Sequence, residues 1–131
     1  MSEKLDELTN KILALENDIK ALYHKKNEIL KQREDLIIND KLYLTDLSQY
    51  KDQDIEDITV IVQEPSGNIT FNNHWDDIYI DNEGHLSCTA YEPYGFTTEY
   101  FYDDDEKSYN NRFGKTNVIG FCDIKTVKNN D

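Results

Sequence analysis

The side chains with the most chemistry to offer lie between residues 74 and 122. His85 and Cys88 stand in an HxxC spacing, with His74 upstream and Cys122 downstream. Zinc takes four ligands, usually as two close pairs. Only one close pair is present, so the spacing predicts no zinc centre. Asp81, Glu83 and His85 alternate along a short polar stretch and could touch a hard cation, which takes several oxygen ligands. Asp103, Asp104, Asp105 and Glu106 are consecutive acids without the DxDxDG spacing of a calcium loop. They read as a solvated loop. Nothing places a base or an oxyanion donor beside either cysteine. No GxSxG, HExxH, phosphate-loop or dinucleotide fingerprint occurs. The sequence therefore predicts a protein that is not an enzyme, with no cofactor and no metal. The two cysteines are expected as reduced, buried thiols inside strands.

What remains is charge and aromatic surface. The formal net charge is -13, from 27 acidic and 14 basic residues. Residues 42–106 hold sixteen acids and a single base, Lys51, whereas residues 107–131 carry a net of +3. Phosphate contacts need clustered Lys and Arg, so direct nucleic-acid binding is disfavoured and a basic protein partner is favoured. The acids are interleaved with strand formers, unlike a disordered acidic tail. The stretch AYEPYGFTTEYFY holds four Tyr and two Phe in thirteen residues. Tyr suits recognition surfaces because it offers contact area at low entropy cost. The expected partner-binding face comprises Asp76, Asp77, Asp81, Glu83, Glu92, Glu99 and Asp103 to Glu106, with Tyr94, Tyr100 and Tyr102 as anchors.

The elements that must carry this face follow from periodicity. Residues 3–38 repeat apolar side chains in steps of three and four, the heptad pattern of a coiled coil. With Leu5 at a and Leu8 at d, the seam runs Leu5, Leu8, Ile12, Leu15, Ile19, Leu22. Beyond it, Lys26 and Arg33 occupy a, while Leu30, Ile37 and Ile38 widen the apolar stripe. The first three heptads are expected to pair with a second copy, parallel or antiparallel, and the last turns to pack on the chain's own β domain; the alternative is one amphipathic helix lying along that domain throughout. Ser2 is the expected N-cap and Asn39-Asp40 the stop. Residues 42–50 are ambiguous between strand and helical turn, and 51–57 read as a loop. Period-two stretches predict strands at 58–63, 69–72, 77–80, 86–91, 96–102 and 117–127, the last bulged near Gly120. Residues 103–115 are expected as one long polar loop. The fold class is α+β: a coiled-coil dimerisation helix at 1–40 and an acidic antiparallel β-meander domain at 41–131.

A short, acidic chain rich in Tyr, Asp, Asn and Lys, with few Pro and Gly, resembles small proteins of phages and mobile elements. Among these are anti-CRISPR proteins and other nucleic-acid mimics. The resemblance is compositional, covers mainly residues 42–106, and carries no family motif. It implies a non-enzymatic, homodimeric inhibitor that blocks the basic surface of a nucleic-acid-handling protein. Alternatives are a structural or adaptor protein of a phage particle, and an immunity or antitoxin protein. With no apolar run long enough to span a bilayer and no signal-peptide pattern, the expected location is the cytoplasm of a bacterial host.

Overall fold

The computed structural model describes residues 2–91 and 97–127. The chain divides into two compact units, Met1–Lys41 and Leu42–Asp131.

The first unit is a single helix, α1 (Glu3–Asn39). The Ser2 hydroxyl accepts from the Leu5 amide at 3.4 Å, so the first turn is capped as expected. Glu3 and Asp6 place negative charge at the positive end of the helix dipole. The stop falls at Asp40, whose amide returns to the Leu36 carbonyl at 3.0 Å. Lys41 then turns the chain with φ at 53°, the left-handed position that often ends helices. At 37 residues the helix is about 55 Å long. The six seam residues Leu5, Leu8, Ile12, Leu15, Ile19 and Leu22 are 49–67% exposed along it.

The second unit is one antiparallel sheet of seven strands. They are β1 (Ile55–Gln63), β2 (Ile69–Asn72), β3 (Asp76–Ile80), β4 (Leu86–Tyr91), β5 (Thr97–Asp103), β6 (Ser108–Asn111) and β7 (Gly114–Thr126). Their spatial order is β2-β1-β7-β6-β5-β4-β3. From β3 to β7 the chain is a simple meander. The β1–β2 hairpin is set beside β7, so the expected meander needs this one rearrangement.

That order forces the sheet to curl. β2 and β3 are its two edges, yet only residues 73–75 separate them in sequence. Flat, seven strands would hold the edges about 29 Å apart. The four Cα steps from residue 72 to residue 76 reach at most about 15 Å. The edges must therefore approach each other. They do so through Asn72 on β2, which donates from Nδ2 to the Tyr100 hydroxyl on β5 at 2.9 Å. His74 and Asp77, with φ at 67° and 50°, shape the corner.

The inner face of the curl is the core. Leu47, Ile58, Val60, Trp75, Ile80, Leu86, Cys88, Tyr100 and Phe121 are buried there. Trp75 meets Tyr100 edge-on at 5.2 Å, and Tyr109 meets Phe121 at 5.8 Å. Such pairs add to area burial because ring edges face ring faces.

Residues 42–50 turn out to hold both readings. Leu44 exchanges two 2.8 Å backbone hydrogen bonds with Phe121, and Ser48–Tyr50 form one 3₁₀ turn. Gly120 permits the first contact: a Cβ there would meet the Tyr43 ring at 2.3 Å and the Leu44 carbonyl at 2.7 Å. The expected bulge sits beside it, where Ile61 pairs with Gly120 but Val62 with Val118.

Two expected loops are corrected. Residues 55–57 extend β1, and the polar stretch 103–115 contains β6 and the start of β7. Tight turns at 104–107 and 112–113 replace the long loop. β6 forms because its aromatic side chain, Tyr109, packs between Tyr102 and Phe121 while its backbone pairs on both sides.

Candidate functional site

The β3–β4 turn and the β5–β6 turn lie far apart in sequence and meet at one end of the sheet. The first holds Asp81, Glu83 and His85. The second holds Asp104. Ligand atoms of Glu83, His85 and Asp104 all fall within 4.8 Å of one another. His85 Nδ1 also lies 3.3 Å from Asp81 Oδ2 and 3.7 Å from Glu83 Oε2. The imidazole is fixed from the other side by Tyr102, stacked on it at 3.5 Å.

The turn is built tightly. Asp81 Oδ1 accepts from the amides of Glu83 at 2.9 Å and His85 at 2.8 Å. Burial pushes the Asp81 carboxyl upward, but those two amides and the imidazole outweigh it and hold the carboxyl below its usual value. Gly84, with φ at 85°, brings the turn against residues 47 and 48. Its carbonyl accepts from Leu47 at 3.0 Å, and a Cβ would lie 2.5 Å from the Ser48 nitrogen. Asp46 stands beside the same turn, its pKa lowered mainly by the Ser48 amide. In the β5–β6 turn, Asp103 Oδ1 accepts from the amides of Asp105 and Glu106, so Asp103 is a turn-former as much as a surface charge.

The other expected face residues are not all in this place. Asp76 and Asp77 are exposed at the start of β3, beside Thr89, and Glu99 pairs with Thr89 on β4. They form a second acidic area away from the β3–β4 turn. Tyr102 is half-buried against His85. Tyr100 is a correction: it is 5% exposed, packed on Trp75 and bonded by Asn72, so it anchors the core. Glu92 and Tyr94 lie outside the described residues. Phe113, 84% exposed at the β6–β7 turn with the Arg112 guanidinium 4.9 Å from its ring centre, is an exposed aromatic that no pattern in residue order marks out.

Glu83, His85 and Asp104 are the described residues best placed to hold a cation. His85, Cys88, Cys122 and His74 are not gathered into one group among the described residues. Cys88 points into the core, where burial pushes its thiol up to about 12. Cys122 is also buried, and neither cysteine is in a disulfide.

A second feature is the open end of the curl. There the inner face is not filled, and a groove of about 1120 Å³ remains. Register identifies its lining. Thr70 and Asn72 stand opposite Val62 and Val60, Tyr109 stands opposite Tyr102, and Thr116 opposite Tyr109. Lys107 and Lys115 also line it, and Glu64 is the one acid among its described lining residues.

No protein-family model, curated protein or solved structure matches this chain. No described helix is long and apolar enough to cross a membrane.

Proposed function

We propose that this is a non-enzymatic binding protein of the bacterial cytoplasm, which presents the acidic end of its sheet to the basic surface of a nucleic-acid-handling protein. One observation carries the reading. Carboxylates from two turns about twenty residues apart, Asp81 and Glu83 on one and Asp104 on the other, are held together around one imidazole. Like charges so close repel one another, and a basic partner relieves that repulsion. Asp105 and Glu106 extend the same turn with two further exposed acids. Phosphates on a nucleic-acid strand present a comparable density of negative charge, which is what a basic groove is built to receive.

The helix sets the copy number in this reading. A second copy pairing through Leu5 to Leu22 removes an exposed apolar seam from water, with Ile at a and Leu at d favouring two strands. The test compares the intact chain with a Glu83→Lys/Asp104→Lys/Asp105→Lys variant. Each is used to capture nucleic-acid-handling proteins and to inhibit the captured activity. Loss of capture and inhibition in a folded variant supports the reading; an unchanged captured set and unchanged inhibition reject it.

A further inference from the structure

The interior of a curled sheet is ordinarily apolar, because inward side chains pack on one another. Here that holds at one end only. At the other, Thr70, Asn72, Asn111 and Thr116 stand inward beside Val62, Tyr109 and Val118, on the same face as the buried Val60. Side chains that both donate and accept hydrogen bonds have replaced aliphatic ones where the space stays open. The space is slightly larger than ordinary ligand sites, which run about 300–1,000 Å³.

The charge of the groove runs against the rest of the chain. The protein carries -13 overall, yet among the described residues the groove is lined by two lysines and one acid. Among the described residues neither Lys107 nor Lys115 forms an ion pair, although acids outnumber bases almost two to one. Ser108, which also lines the groove, has a buried hydroxyl oxygen with no hydrogen-bond partner. A buried polar atom left unpaired is costly and calls for a partner.

We propose that this groove is a binding site for an anionic sugar, a ring bearing hydroxyls and one carboxylate or phosphate. Lys107 and Lys115 receive the charge. Hydroxyl and carboxamide groups of Thr70, Asn72 and Asn111 match sugar hydroxyls, which donate and accept as they do. The rings and valines of the lining offer apolar surface to the sugar's C–H faces. The groove adjoins the β5–β6 turn through Tyr102 and Lys107 but takes none of that turn's acids into its described lining, and it stands whether or not those acids bind a protein.

The experiment titrates the full chain by NMR and calorimetry with glucuronate, glucose 6-phosphate, adenosine monophosphate, glucose and inorganic phosphate. A sugar carboxylate or sugar phosphate is expected to bind at least about tenfold tighter than glucose or phosphate alone. Preference for glucuronate assigns the charge to a carboxylate, and preference for either phosphorylated probe assigns it to a phosphate. Lys107→Ala/Lys115→Ala, both exposed and safe for folding, is expected to abolish that preference, whereas Lys125→Ala, elsewhere on β7, leaves it. The proposal is overturned if no charged sugar binds at millimolar concentration, if glucose or inorganic phosphate binds as well, or if the double variant binds like the wild type.

Discussion

The hydrogen bond from Asn72 to Tyr100 decides whether the sheet is curled as described. β2 and β5 are four places apart in the sheet order, about 19 Å if the sheet were flat, yet the two side chains meet at 2.9 Å. The perturbation is a double-mutant cycle of Asn72→Ala and Tyr100→Phe. Tyr100→Phe keeps the ring that packs on Trp75 and removes only the hydroxyl. A neutral hydrogen bond contributes about 1 kcal/mol net, and the open groove beside Asn72 lets water take the vacated place. Each single variant should therefore lose about 1 kcal/mol and the pair less than the sum, with a coupling of about 0.5–1.5 kcal/mol. Tyr100→Ala should cost about 3–5 kcal/mol, because it also empties the space beside Trp75. Urea unfolding followed by tryptophan fluorescence reads all four, since Trp75 is the only tryptophan and its indole N–H is tied to the Asn72 carbonyl. A coupling of zero, or a Tyr100→Ala variant as stable as wild type, refutes the closure and returns Tyr100 to the surface.

Other perturbations separate the remaining parts. Leu15→Asp, in the middle of the exposed seam, should convert a dimer to a monomer by sedimentation while leaving the sheet's unfolding transition in place. Gly84→Ala should destabilise by more than about 1 kcal/mol in urea unfolding, because a Cβ there meets the Ser48 backbone and the φ of 85° favours glycine. Asp81 gives a pH dependence of definite sign. Its folded pKa is lowered, so its stabilisation is present above the unfolded value of about 3.9 and is lost as pH falls through the folded value. Asp81→Asn should therefore flatten the fall in stability with acid in that window, measured by unfolding at a series of pH values.

Much of the architecture could be read from residue order. Ser2, the heptads and Asn39-Asp40 marked one helix to within a residue, since capping and periodicity are local. β1 to β4 followed from period-two runs, and Pro65 and Gly67 marked the first hairpin turn, closed by the Glu64 amide on the Asn68 carbonyl. β6 is not legible in residue order for a physical reason. Its sequence, SYNN, lines an open groove, so it lacks the apolar alternation that marks a strand with a filled interior. The side that Tyr100 takes is not legible either, because FTTEYFY carries aromatics on both faces. Pairing with Cys88 puts Tyr100 inside and leaves Phe101 40% exposed, a register set by a partner strand. The meeting of the β3–β4 and β5–β6 turns depends on the same long-range pairing, so single acids were visible but their grouping around His85 was not.

The central claim is that the acidic end of the sheet binds by charge. Its most direct measurement is the affinity of the intact protein for its captured partner at low and high salt, beside the Glu83→Lys/Asp104→Lys/Asp105→Lys variant. Affinity is expected to fall by at least about tenfold with salt, and the variant to bind weakly at both. Equal affinity at low and high salt, or a variant that binds like the wild type, contradicts it.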